Sequence, residues 1–350
     1  MNRRYFIKQS MVGALTLSLP KLSGLERTAM GVVVHSYGIR WKSTVASSQY
    51  PGFANAIDLL DHCHQIGAGG IQVGVNGWNS DFTQKVRDRR EKLGLYLEGS
   101  IGVPNTDADL PRFEQEVRQA REAGATVLRT VCSAGRRYET YHSEEAFTQA
   151  TQQALTNLRR IEPVLRRHRV RLGVENHKDW RSGELADMMK ALSSEWIGVT
   201  LDFGNNIALL EDSLKVARTL APFLVSTHVK DMALSDYKDG FLLSEVPLGQ
   251  GVLDLPSLIA ICQKQRPEVT FNLEMITRDP LQIPCRTKEY WETLEPVART
   301  GDLDRTLKLI QQTRTHLPRI SPLNPEERLA AEEQNIRLSL AYSRDRLALR

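Results

Sequence analysis

The chain has 350 residues, enough for one large α/β domain with extensions or for two ordinary domains. Its 41% hydrophobic content can fill a core, and its 25% charged content is ordinary. A net charge of +4 spread over both signs gives little support to nucleic-acid binding. No apolar run reaches the ~18 residues of a stable membrane span, and the four cysteines lack CxxC spacing, so buried thiols are expected rather than a disulfide framework.

Residues 1–29 resemble a twin-arginine export signal. Arg3-Arg4-Tyr5-Phe6-Ile7-Lys8 precedes a mildly apolar stretch from Met11 to Pro20. That predicts a periplasmic location by twin-arginine export; without it the protein is cytoplasmic. No clear A-x-A cleavage site follows, which is compatible with a retained leader.

From residue 30 onward, short β-rich runs alternate with longer amphipathic stretches. The predicted strands are Gly31–Ser36, Gly70–Val75, Leu95–Ile101, Thr126–Val131, Val170–Asn176, Ile197–Asp202, Leu224–Lys230 and Val269–Met275. Helical patterns fall at Phe53–Ile66, Pro111–Ala123, Ser143–His168, Ser182–Leu192, Asp212–Leu220, Leu255–Lys264 and Leu303–Thr313. Strand–helix alternation over this length predicts an α/β fold, a (β/α)₈ TIM barrel spanning 30–315. The competing open sheet would favour a G-x-G-x-x-G loop after the first strand, and Val34-His35-Ser36-Tyr37-Gly38 is not one. Residues 276–300 read as a lid-like connection. Residues 316–350 read as a C-terminal helical extension that braces the barrel or joins a homo-oligomer contact.

Four polar segments end the fifth to eighth strands: Glu175-Asn176-His177, Asp202-Phe203-Gly204-Asn205, His228-Val229-Lys230-Asp231 and Glu274-Met275. Any one acid there is usually a helix cap, and a lone His is usually structural. Together they surround one pocket at the catalytic end of a parallel barrel. Three carboxylates and one imidazole in that pocket repel each other unless a cation neutralises them. Glu175, Asp202, His228 and Glu274 are therefore expected to hold one divalent metal ion, Mn²⁺ or Mg²⁺ first, then Co²⁺ or Zn²⁺.

These motifs, with Leu248-Gly249-Gln250-Gly251 and Asp254, resemble the xylose isomerase-like TIM barrels, also called the sugar phosphate isomerase/epimerase superfamily, over roughly residues 30–300. The resemblance implies the same four metal ligands, with the two glutamates moving protons on opposite faces of a ketose. There are two departures. Asn205 stands where the epimerases carry a His, and no Arg follows His228 within a few residues. Asn cannot act as an acid or base near pH 7, so simple 3-epimerisation is put in doubt.

Lys230 shares the inward face of its strand with His228 and is expected to hold an anionic oxygen or act as an acid; the alternative is a salt bridge to Asp231 or a rim carboxylate. Asn205, His35, Glu98, Arg129 and Arg278 are candidate substrate contacts, although Glu98 and Arg129 also suit pairing with each other. Loop aromatics Trp180 and Trp291 would stack on a sugar or pack the lid. Arg136-Arg137-Tyr138 suits an anion or a solvated loop.

The main expectation is an isomerase or epimerase acting on a sugar or keto-sugar through a metal-stabilised enediolate, with Glu175, Glu274 and Lys230 as catalytic groups. The same enolate serves a dehydratase or decarboxylase acting on a sugar-derived keto acid. Metal-dependent phosphodiester hydrolysis fits poorly, because the chain has only 8 His and shows no evident basic patch for DNA. A non-catalytic sugar-binding protein is the rival from another class. The expected ligand is a small carbohydrate or sugar acid.

Overall fold

The computed structural model describes residues 27–133, 135–294, 301–312 and 317–349. The export signal expected within 1–29 falls almost wholly outside them. Thr28 and Ala29 are inside and already anchored: Thr28 N donates to Gly67 O, and Ala29 N to Leu349 O.

Eight parallel strands close into a barrel: β1 (Gly31–Val33), β2 (Gly70–Gly74), β3 (Tyr96–Ser100), β4 (Val127–Thr130), β5 (Arg171–Glu175), β6 (Ile197–Asp202), β7 (Leu224–Val229) and β10 (Phe271–Leu273). The expected α/β barrel is thus observed, and all eight strands fall within the predicted runs. A three-stranded antiparallel sheet, β11-β9-β8, stands beside it, made of β8 (Asp231–Tyr237), β9 (Gly240–Val246) and β11 (Leu281–Ile283). No strand was predicted there. The β8–β9 hairpin lies between two conspicuous motifs, and β11 turns part of the predicted lid into sheet.

The helices are α1 (Ala56–Gln65), α2 (Ser80–Leu93), α3 (Leu110–Glu122), α4 (Arg137–Thr140), α5 (Glu144–His168), α6 (Ser182–Leu192), α7 (Ser213–Leu220), α8 (Leu255–Gln265), α9 (Asp302–Gln312) and α10 (Pro325–Arg346). Two were not predicted. One is the single turn α4; the other is α2, whose sequence is so polar that Thr83 and Val86 are its only buried residues. Its ends are nevertheless well marked. Asn79 caps it by accepting from Phe82 N, and Gly94 closes it at φ 64°, a left-handed conformation that suits glycine.

α10 begins with a reciprocal capping box between Asn324 and Glu327. Its Ile336 and Leu340 join the main hydrophobic core, so it is part of the barrel wall. Among the described residues no helix is long and apolar enough to cross a membrane.

Candidate metal centre

The ends of β5, β6 and β7, and the residue just after β10, each send one side chain to a common point. Glu175, Asp202, His228 and Glu274 each offer a ligand atom, and these atoms all lie within 4.8 Å of one another. His228 Nδ1 is 3.4 Å from Glu175 Oε2, 3.5 Å from Glu274 Oε1 and 4.0 Å from Asp202 Oδ2. All four side chains are buried.

Neighbours orient each ligand. The backbone N–H groups of Gly204 and Asn205 donate to Asp202 Oδ1, at 2.9 and 2.8 Å. That leaves Oδ2 turned inward. Asn176 ties β5 to β6: its amide donates to Asp202 O, and its Oδ1 accepts from Asp202 N at 2.7 Å. His228 Nε2 meets Gln72 Oε1 at 2.7 Å, and Gln72 Nε2 donates to Glu98 Oε2 at 2.9 Å. An amide oxygen accepts, so Nε2 carries a proton, and Nδ1 faces the carboxylates as the nitrogen that becomes a ligand once its own proton leaves.

His228 Nδ1 and Asp202 Oδ2 are buried without a hydrogen-bond partner. Lys230 Nζ lies 2.7 Å from that oxygen but is not aligned to bond it. Buried polar atoms are seldom left unsatisfied. Two orphans facing each other among carboxylates fit a cation held by one imidazole and three oxygens.

Charge is finely balanced. Burial alone would raise Glu175, but Arg129 and His228 outweigh it and hold the carboxyl well below its usual range. Glu274 is likewise depressed against burial, by Lys230 and His228. Burial pushes Asp202 up to about 6, with Lys230 opposing and the other two glutamates assisting. Burial disfavours an imidazolium, yet Glu274 and Glu175 push His228 up to about 9 in the cation-free protein.

The remaining candidates separate. Lys230 does not bridge to Asp231: its Nζ sits 2.6 Å from Glu274 Oε2, beside Asp202, inside the centre. Asp231 instead accepts from the backbone N–H groups of Gly249, Gly251, Met232 and Leu253. This explains Gly251, because a Cβ there would run into that carboxylate, whereas a Cβ on Gly249 would meet the Tyr342 ring. Arg129 does not pair with Glu98; its Nε donates to Glu175 Oε2 at 2.5 Å. Glu98 lies 2% exposed, enclosed by Gln72, Ser226, Thr270 and Asn272, and reaches the centre only through Gln72.

His35 Nδ1 is 3.1 Å from Glu274 Oε1, with its side chain 46% exposed. Asn205 donates to Glu175 Oε1 at 3.0 Å and accepts from Lys178 Nζ. Arg278 pairs with Glu245 at 2.5 Å. The loop aromatics are packed rather than offered to a ligand. Trp180 Nε1 donates to Thr151, and Trp291 Nε1 to Cys285 O. Arg137 of the Arg-Arg-Tyr run is also buried, held by Glu184 and Thr293.

Three residues at or beside the centre escaped the sequence reading. Gln72 had a visible signal, a lone amide inside an apolar strand. Lys178 is buried with φ 67°, an uncommon conformation for a side-chain-bearing residue. Burial and the Lys230 cation lower its amine to about 8. Glu245 is buried on β9, where Arg278 and both lysines keep its carboxyl depressed against desolvation.

Known proteins with this architecture include several enzymes. The chain is 27% identical over 236 residues to the 3-oxo-isoapionate decarboxylase of Pectobacterium atrosepticum, covering 65% of this chain and 79% of that one. Among solved structures, a D-psicose 3-epimerase with D-fructose superposes with a TM-score of 0.55 at 13% identity, covering 81% and 96% of the two chains. A xylose isomerase-like barrel protein of Mycobacterium smegmatis, solved with magnesium, superposes with a TM-score of 0.52 at 13% identity, covering 81% and 98%. Residues 60–297 match the xylose isomerase-like TIM barrel family, and the chain belongs to it.

Proposed function

We propose that this member of the xylose isomerase-like TIM barrel family is a divalent-cation-dependent isomerase or epimerase. It moves a proton next to the carbonyl of a sugar or keto-sugar. The observation that carries this reading is the pair Glu175 and Glu274, ionised on either side of His228 Nδ1. Glu175, Glu274, Asp202 and His228 would hold a dication, which would supply a Lewis acid for the substrate carbonyl and its enediolate.

The two glutamates are not equivalent. Glu175 is held by Arg129 on one oxygen and Asn205 on the other. Glu274 meets half-exposed His35 on one oxygen and Lys230 on the other. Glu274 is therefore the base that takes the C–H proton, and His35 links it to solvent. Lys230, buried between Asp202 and Glu274, steadies the developing oxyanion.

The test is proton exchange. The protein with Mn²⁺ or Mg²⁺ is incubated in D₂O with ketoses, keto acids and keto-glycosides, and followed by NMR. Deuterium should enter beside the carbonyl of at least one class. Binding without exchange in any class would favour a non-catalytic sugar-binding protein.

A second reading, a lyase acting on a sugar-derived keto acid, has its own support. Glu175, Asp202, Glu274, Arg129 and Lys230 together carry one net negative charge; with a dication the balance is one positive charge, and Lys178 lies beside it. That surplus suits an anionic substrate. In decarboxylation the C–C electrons pass to the enolate, CO₂ leaves, and the carbon is reprotonated. Lys178→Met should weaken turnover of an acid and spare a neutral ketose; equal losses on both would remove this reading.

We also infer export from the Arg3-Arg4 leader. Cell fractionation of an Arg3→Lys, Arg4→Lys variant checks it, with cytoplasmic retention expected.

A further inference from the structure

The barrel mouth is lopsided. The ligands come from the ends of β5, β6, β7 and β10, and the ends of β1–β4 border an open cleft of about 800 Å³. His35 and Arg129 line this cleft while touching Glu274 and Glu175, so it begins at the edge of the metal centre. A monosaccharide of about a dozen heavy atoms fills at most ~360 Å³, at ~30 Å³ per water-sized atom. Space of at least the same size is left beyond it, within the range that larger ligands occupy.

The outer part of the cleft is aromatic. Trp41 follows β1, Trp78 follows β2, and Phe82 stands in the first turn of α2. Trp78 and Phe82 meet edge to face at 5.4 Å and 79°. Trp78 is only 9% exposed and packed in the core, so its indole is fixed but offers a small area, and the partly buried Trp41 supplies the rest of the aromatic wall. Lys42 and Asn76 stand at the rim, and neither side chain has a hydrogen bond within the described residues. A fixed aromatic wall edged by free polar groups suits a ring with one apolar face and hydroxyls at its edge.

We propose that the substrate is a two-part molecule: a carbonyl-bearing sugar joined to a second six-membered ring that lies against Trp41 and Trp78. This rests on the enolate chemistry proposed for the sugar end and adds the substrate class, a glycoside rather than a free monosaccharide. The second ring is a sugar or an aromatic group, and both offer the same flat apolar face.

Binding by unreactive probes tests it on the cation-loaded full chain: D-glucose, cellobiose and phenyl β-D-glucopyranoside, by calorimetry and tryptophan fluorescence. At least one ring-bearing probe should bind tenfold or more tightly than glucose, and the better of the two identifies the ring. Gly102→Trp should abolish that preference. Gly102 lines the cleft, and a Cβ there meets nothing within 4 Å, so a side chain has room to enter the cleft from this position; unchanged Mn²⁺ affinity checks that the metal centre is intact. Trp41→Ala should reduce the preference without involving Gly102. Ring-bearing probes that bind no more tightly than glucose overturn the proposal, as does a preference untouched by both variants. Absence of turnover on every substrate would sink only the enolate reading, because these probes do not react.

Discussion

Two buried charge clusters in this barrel are built from the same residue types and end in opposite states. At the metal centre, three carboxylates surround an imidazole nitrogen that has no partner, and one carboxylate oxygen is also orphaned. Under α10, Glu333 Oε2 takes Arg40 at 3.0 Å, His62 at 3.0 Å and the Tyr37 hydroxyl at 3.2 Å, while Oε1 takes Arg337. Glu332 accepts from the backbone N–H groups of Ile39 and Arg40. Among the described residues, no fully buried side-chain nitrogen or oxygen of this second cluster lacks a hydrogen-bond partner. Burial and charge alone therefore do not mark a functional site. The difference lies in satisfaction: a structural cluster closes its own hydrogen bonds, whereas a ligand site keeps atoms in reserve.

Opposite responses to mutation would sharpen that contrast. Glu274→Gln should lower turnover by three orders of magnitude or more, since it removes both a base and a ligand. Its thermal midpoint should stay within a few degrees, because the amide keeps the shape and an oxygen for Lys230, which still meets Asp202. Kinetics beside thermal denaturation checks both halves; full turnover on a confirmed substrate would break the assignment.

Glu333→Ala should do the reverse. It leaves Arg40 and His62 buried without their carboxylate, at a cost of about 3–5 kcal/mol. Urea unfolding measures this, and the folded fraction should keep its proton exchange. A loss under 1 kcal/mol would mean that α10 does not depend on this contact.

The two clusters also differ in how visible they were from sequence. The ligands were legible because a barrel puts strand ends around one pocket, so four polar residues after four apolar runs converge on topology alone. Their partners obey no such rule. Lys230 was placed inward by strand alternation, but its carboxylate partners come from two other strands. Lys178 needs a left-handed backbone that its sequence does not announce. Glu245 reaches its lysines only because the β8–β9 hairpin folds back beside the barrel. The Glu333 cluster joins residues nearly 300 positions apart, from Arg40 to α10. His62 lies in the predicted helix Phe53–Ile66, a pattern that says nothing of a partner in α10.

A smaller effect separates holding a cation from orienting its ligand. Gln72→Leu removes the acceptor that fixes the His228 tautomer, and such changes typically weaken metal affinity by about 10–100-fold. Calorimetric titration with Mn²⁺ checks it, and unchanged affinity would mean that the Gln72 bond orients nothing.

The mildest lever is pH, and here the clusters should part in opposite ranges. In the cation-free protein His228 stays protonated up to about 9, so below that value a cation must displace one proton to reach Nδ1. Apparent affinity should then rise about tenfold per pH unit between 6 and 9 and level off above. Below about 6 Asp202 also holds a proton, so the dependence should steepen. Glu333 is held down to about 2, against burial, by His62, Arg337 and Arg40. Its stabilisation is complete above the ordinary glutamate value of about 4.3 and is lost as pH falls towards 2. Calorimetry in two buffers of different ionisation enthalpy should find one proton released per cation at pH 7. An affinity flat from pH 6 to 9 would mean that His228 is already neutral in the cation-free protein and gives up no proton to the cation.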